Sequence, residues 1–205
     1  METTKNKIPE FAEYFFKKLG NYLDTKIYFY GSVQRLDYFP TSSDIDVDIF
    51  AENVNSMVVK LQHFLDVKRS DFKKFVYHLH KTKKIVHGYK IKYKDEENNF
   101  ITEISIYNET DKMRVLEEHL SKTELPFYIS ALLFILKMLY YKLQIIPKSV
   151  YSFFKKIIMN YMVEGEDSEF VMTDIPEDKD ESKVKDEDKV KDEHETKEKD
   201  KVKEN

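Results

Sequence analysis

The sequence of 205 residues contains no cysteine, no tryptophan and only four glycines. Without cysteine, the chain can form neither a disulfide framework nor a cysteine-ligated zinc site. The longest apolar run, residues 131–136, is far shorter than the roughly 20 residues that a membrane-spanning helix needs. The first five residues are mostly polar and lack the apolar stretch of a signal peptide. The sequence therefore predicts a cytoplasmic or otherwise intracellular protein that is not secreted and has no membrane partner.

Charge is distributed unevenly along the chain. Residues 164–205 contain 18 acidic and 9 basic residues, a net charge of −9, whereas the whole chain carries −4. Residues 1–163 therefore carry +5, the difference between these two values. A mildly basic body fits a nucleotide or nucleic-acid partner, and it fits an ordinary lysine-rich surface nearly as well. The acidic segment is too poor in apolar residues to form a core, which predicts a disordered tail that could face a protein partner.

Hydrophobic periodicity predicts alternating helices and strands before the tail. Apolar residues recur at helical spacing in five segments: 8–23, 54–66, 111–121, 125–144 and 148–162. Strand patterns occupy five others: 26–30, 44–50, 72–79, 85–93 and 100–107. This order predicts an α+β fold, with helices on one face of a mixed β-sheet, then C-terminal helices and a disordered charged tail. The predicted boundaries are a core at 1–110, a helical part at 111–163 and the tail at 164–205.

A glycine-serine turn followed by alternating acids is the most informative motif in the chain. Gly31 and Ser32 follow an apolar run, and 11 residues separate Ser32 from Asp44. Acidic and branched apolar residues then alternate, so that in a strand Asp44, Asp46 and Asp48 share one face. Carboxylates crowded on one face repel each other, and hard cations such as Mg²⁺ prefer carboxylate oxygens. The turn offers free backbone N–H groups, which suit a phosphate.

These residues resemble the signature of the DNA polymerase beta-like nucleotidyltransferase superfamily. That signature is a hydrophobic strand, a Gly-Ser or Gly-Gly pair, nine to thirteen residues, and then acids alternating with hydrophobic residues. Gly31-Ser32 and the string Ser43–Val47 match it. Members carry a third carboxylate on a later strand, and Glu103 within Thr102–Ile106 fits that position. The resemblance implies that residues 1–110 form a nucleotidyltransferase catalytic core.

The resemblance also implies roles for the matching residues. It assigns Asp44, Asp46 and Glu103 to two divalent ions, Mg²⁺ or Mn²⁺, and makes them the catalytic residues. Glu103 would also be the base that accepts the proton of the acceptor hydroxyl.

A nucleoside triphosphate, ATP included, is the substrate that the resemblance implies, and Gly31, Ser32 and Arg35 would contact its phosphates. The acceptor of the nucleoside monophosphate is an RNA end, a protein or a small molecule. The sequence does not choose among these acceptors.

Three alternatives stay open at this point. Asp46 and Asp48 satisfy the same spacing rule, with 13 residues after Ser32, although Ser43 favours the pair Asp44 and Asp46. The acidic triplet could instead belong to a solvent-facing edge strand. The domain could also be a catalytically silent nucleotidyltransferase-like module with a binding or regulatory role.

Overall fold

Six strands and five α-helices make up the part of the chain that the computed structural model describes, residues 2–40, 42–159 and 170–174. In chain order they are α1 (Glu10–Leu23), β1 (Tyr28–Tyr30), β2 (Ile45–Ala51), α2 (Val54–Leu65), β3 (Lys73–His78), β4 (Ile85–Asp95), β5 (Phe100–Asn108), α3 (Lys112–Thr123), α4 (Phe127–Lys137), α5 (Lys148–Met159) and β6 (Phe170–Asp174). Short 3-10 turns lie at Gly31–Gln34, Arg69–Asp71 and Glu109–Asp111.

Local capping determines where the first two helices begin and end. The side chain of Asn53 accepts a hydrogen bond from the backbone N–H of Ser56, which satisfies a free donor at the start of α2. Asp24 and Asp66 end α1 and α2 in left-handed conformations, with φ of 50° and 53°. Aspartate tolerates this conformation better than most residues do, so both helices stop at these positions.

All six strands join one mixed sheet in the order β1-β2-β5-β4-β3-β6. β2 and β5 pair in parallel, and the other neighbours pair antiparallel. Branched residues of β2 and β5 point to one face, where they pack with the buried side of α1 and α2 in the larger core. The acids of β2 consequently point to the opposite face.

The opposite face of the sheet is covered only in part. Aromatic residues of β1, β2, β3 and β5 form a smaller core there together with Val115 of α3. Helices α4 and α5 bury a separate cluster that includes Ile129, Leu133 and Tyr151. Between these two clusters, Asp44, Asp46 and Glu103 line a cleft.

No single helix in the described part of the chain is long and apolar enough to cross a membrane. One pair, Glu109–Thr123 with Phe127–Lys142, meets the length and composition requirement only when its members are joined, and the two are bent by 79°.

The predicted α+β class and mixed sheet are confirmed, and one expectation needs correction. The helix predicted at 125–144 agrees with the continuous helical segment Phe127–Lys142, whose last part, Met138–Lys142, is π-helical. The segment 164–205, predicted to be a disordered tail, contains one strand, because residues 170–174 form β6 and pair with β3. Phe170, Val171 and Met172 form only a three-residue apolar run between acidic neighbours, which is too short to predict a strand from the sequence. The tail prediction for 164–169 and 175–205, and the last residues of the helix predicted at 148–162, fall outside the described residues.

The β6 pairing predicts different outcomes for two truncations. A chain ending at residue 174 should melt within about 2 °C of the full chain, because the removed segment cannot bury a core. A chain ending at residue 169 should melt several degrees lower, because β3 loses its outer hydrogen-bonding partner. Differential scanning calorimetry of the three chains measures this. Equal melting temperatures for the two truncated chains would contradict a stabilising role for β6.

Candidate active site

The turn after β1 brings glycine against the acidic residues of β2. Gly31 has a φ of 70°, a left-handed conformation that glycine adopts without strain. A Cβ atom at this position would overlap Oδ2 of Asp46. Glycine is therefore required both for the backbone conformation and for the close approach of the carboxylate. Ser32 follows in the same turn and is largely buried.

Strand pairing brings the predicted acids to one place. Asp46 lies opposite Glu103 across the parallel pair β2 and β5, and opposite Tyr30 across β1. Register partners in neighbouring strands point to the same face, so the two carboxylates lie side by side. Asp44 lies two residues before Asp46 and points to the same face.

The electrostatics of Asp46 show how crowded this acidic group is. Burial raises the pKa of Asp46 to about 8, and the negative charges of Asp44 and Glu103 add to this effect. The positive charges of Lys90 and Lys155 oppose it without cancelling it. A poorly solvated carboxylate beside two others is costly to ionise, so the site favours a bound cation.

Two lysines of β4 pair with the outer acids. Lys90 Nζ lies 2.7 Å from Glu103 Oε1, and Lys92 Nζ lies 3.1 Å from Asp44 Oδ2. Burial alone would raise the pKa of Asp44, but the charge of Lys92 and its hydrogen bond outweigh burial and lower it. β4 is the antiparallel neighbour of β5, which places both lysines on the face of the acids.

A cleft of about 560 Å³ lies between this face and the C-terminal helices. Its lining includes the Gly31-Ser32 turn together with Asp44, Asp46 and Glu103. Tyrosines, one histidine and one methionine also line it, together with six cationic side chains: Arg35, Lys90, Lys122, Lys137, Lys155 and Lys156. The cleft therefore combines an acidic floor with basic walls, an arrangement that suits a divalent ion and a polyphosphate together.

The nucleotidyltransferase-domain family model matches residues 8–163, which include the turn, all three acids and the C-terminal helices. The chain belongs to this nucleotidyltransferase family. The resemblance predicted from the Gly31-Ser32 turn and the alternating acids is thereby confirmed. Membership supports nucleotidyl transfer as the general activity and a nucleotide as the general substrate.

Among solved structures, the nucleotidyltransferase domain is similar to a chain in a structure described as "structure of GLD-2/RNP-8 complex". The two share 12% sequence identity with a TM-score of 0.32, and the match covers 75% of this chain. The chain spans 61% of the length of that neighbour. No curated protein matches the chain.

The oxygen donors of the nucleotidyltransferase site fit a divalent ion, although two of its three carboxylates pair with lysines. Asp44, Asp46 and Glu103 supply the hard oxygen ligands that Mg²⁺ and Mn²⁺ prefer. Within the described ranges, no three acidic or histidine side chains are gathered closely enough to hold a metal ion. Glu103 instead pairs with Lys90, and Asp44 pairs with Lys92.

Asp48 contacts a residue outside the acidic group. It is fully buried and lies opposite Ser105 of β5. His119 of α3 lies beside it, with His119 Nε2 3.0 Å from Asp48 Oδ2. The geometry of this contact does not meet that of a hydrogen bond, so neither Asp48 oxygen has a hydrogen-bond partner among the described residues. Burial raises the pKa of Asp48 even though His119 opposes the shift. The ring of His119 also stacks on Tyr30 with centroids 4.1 Å apart.

Sequence reasoning did not identify His119 as part of the site. Its neighbours in α3 are ordinary helix residues, and nothing in its spacing from Asp48 marks a contact. Only the packing of α3 against β1 and the turn places it beside β2.

Arg35, which the resemblance links to phosphate, is held by a buried ion-pair network at the edge of the cleft. Its Nε lies 2.8 Å from Asp37 Oδ1, and Lys137 Nζ lies 2.9 Å from Asp37 Oδ2. Lys137 also donates to the backbone carbonyl of Asp37 at 2.8 Å. Burial would raise the pKa of Asp37, but the two cations outweigh burial and lower it. The network connects α4 to the loop after the turn. No pattern in the sequence marks Lys137 as part of it.

The contact between Gly31 and Asp46 predicts the effect of adding one methyl group. Gly31→Ala should destabilise the protein by about 1–3 kcal/mol, because it strains a left-handed residue and displaces a buried carboxylate. Gly20→Ala is the matched control, since a Cβ there meets its nearest neighbour, the carbonyl of Thr25, at 3.4 Å. Urea denaturation compares the two variants. The contact would be unimportant if Gly31→Ala were as stable as Gly20→Ala.

The raised pKa of Asp46 predicts how metal-free stability changes with pH. An unfolded aspartate has a pKa near 3.9, so between about pH 4 and 8 the folded protein binds more protons at Asp46 than the unfolded chain does. This group therefore lowers stability as pH rises through that window. With a chelator present, Asp46→Asn should gain stability relative to wild type between pH 5 and 8. Urea melts at several pH values measure this, and a constant difference across the window would contradict it.

Proposed function

We propose that the chain is a metal-dependent nucleotidyltransferase that transfers a nucleoside monophosphate from a nucleoside triphosphate to a hydroxyl acceptor. Asp44, Asp46 and Glu103 would hold two divalent ions, Mg²⁺ or Mn²⁺. The observation that carries the proposal is the register of β2 and β5, which sets Asp46 beside Glu103 in front of the Gly31 turn. Membership in the nucleotidyltransferase family supports the same chemistry.

Bound divalent ions would neutralise the charge that develops on the transferred phosphorus and the leaving pyrophosphate. The acceptor oxygen forms a bond to the α-phosphorus while the bond from that phosphorus to pyrophosphate breaks. The hydroxyl proton passes to the Glu103 carboxylate. In this proposal Glu103 is therefore both a ligand and the base.

The turn and the basic walls of the cleft would bind the triphosphate. Ser32 offers a hydroxyl and a backbone N–H, and the absence of a side chain at Gly31 lets a phosphate approach the backbone. Lys122, Lys155 and Lys156 line the same cleft and supply positive charge. An RNA end, a protein hydroxyl and a small molecule all remain candidate acceptors.

Labelling of acceptors tests the proposed activity. Wild type is incubated with each radiolabelled triphosphate, Mg²⁺ and a cell extract, and the labelled acceptor is identified. Asp46→Asn and Glu103→Gln should each lower labelling by more than about 100-fold, beyond what loss of an outer-shell partner costs at a metal site. Glu96→Gln is the control, because Glu96 is exposed and pairs with Lys94 outside the cleft. Full labelling by Asp46→Asn would contradict the assigned role.

A second candidate function is a silent nucleotidyltransferase-like binding module. The observation that favours it is that Lys90 and Lys92 already form ion pairs with Glu103 and Asp44. Melting temperature with each triphosphate, with and without Mg²⁺, separates the candidates, because a ligand that binds the native state raises apparent stability. A Mg²⁺-dependent rise that Asp46→Asn abolishes supports the enzyme. A rise that does not depend on Mg²⁺, or no rise, favours the module.

A further inference from the structure

The ammonium groups of two lysines already pair with the acidic cluster. Lys90 and Lys92 extend from the same strand, on the same face, and each holds one of the outer carboxylates. Any cation that enters between the acids meets two outer carboxylates, Glu103 and Asp44, that already have lysine partners. A divalent ion that binds here must therefore displace a lysine ammonium group from its carboxylate.

The two ion pairs differ in how deeply they lie. The side chains of Lys90 and Glu103 are 14% and 28% exposed, whereas those of Lys92 and Asp44 are 58% and 38% exposed. Exposed pairs contribute little, because water and salt screen both charges. A shielded pair is much harder to break, because each charge would be left in a poorly solvated position. The charge of Lys90 acts on Asp46 as well as on Glu103, because it opposes the rise in the pKa of Asp46.

We infer that Lys90 is a built-in competitor for divalent cations, which holds Glu103 in the metal-free protein and must release it when a metal ion binds. The inference rests on the proposed metal-dependent function. It goes beyond that function by assigning to Lys90 control over how tightly the acidic site takes up a metal ion. Lys92 opposes the same uptake only weakly, because its pair with Asp44 is exposed.

Direct binding of Mn²⁺ without nucleotide tests the competition. The free Mn²⁺ signal in electron paramagnetic resonance is titrated with full-length wild type, Lys90→Met, Lys92→Met and Lys94→Met. Methionine keeps most of the apolar length that Lys90 extends near the ring of Phe75, 5.8 Å from its Nζ. Lys94→Met is the matched control, because Lys94 lies on the same strand and pairs with Glu96 at 3.0 Å outside the cleft.

The acidic tail requires a correction in this titration. Residues 164–205 contain 18 acidic residues that bind Mn²⁺ weakly in any variant. Asp46→Asn measures this background, so the quantity compared is the binding in excess of that variant. Melting curves identify any variant that fails to fold, and Lys90→Gln then replaces Lys90→Met.

The expected order of Mn²⁺ affinity follows from burial. Lys90→Met should bind Mn²⁺ at least tenfold more tightly than wild type, Lys92→Met less than threefold more tightly, and Lys94→Met equally. Affinity in Lys90→Met that equals or falls below that of wild type, with excess binding over Asp46→Asn still present, would overturn the inference alone. If no variant, wild type included, exceeded the Asp46→Asn background with or without a triphosphate, the proposed function would be overturned as well.

Discussion

The pairing of β2 with β5 in parallel is the constraint on which the rest of the site depends. It sets Asp46 beside Glu103, while the antiparallel pairing of β1 closes the turn over the same carboxylate. Three carboxylates gathered in this way favour nearby positive charge, which the surrounding elements present.

Those cations come from elements that meet only in the folded chain. β4 supplies Lys90 and Lys92 next to the acids, and α4 supplies Lys137, which binds Asp37 from 100 residues away in the sequence. The Lys137 contact holds α4 against the loop that follows the glycine turn. The C-terminal helices therefore form a wall of the cleft as well as packing among themselves.

The sequence predicted the acids and the turn because both depend on local rules. A strand of period two fixes the shared face of Asp44 and Asp46, and a glycine before a short turn signals a left-handed backbone. The buried contact of His119 with Asp48 could not be predicted in this way, because it depends on how a helix packs against the sheet. The strand at residues 170–174 could not be predicted for a similar reason, because so short a segment becomes a strand only through its pairing with β3.

The family signature accordingly determines where the acids lie, and long-range packing determines what neutralises them. An alternating acidic strand is compatible with a metal ion or with lysine, because both supply positive charge to the same oxygens. A lysine differs from a metal ion in its fixed attachment, which confines its charge to one side of the cluster and gives it one strong partner. Asp46 feels the negative charge of both Asp44 and Glu103, and among the described residues no lysine lies at ion-pair distance from it. A bound metal ion therefore makes the greatest electrostatic difference to Asp46.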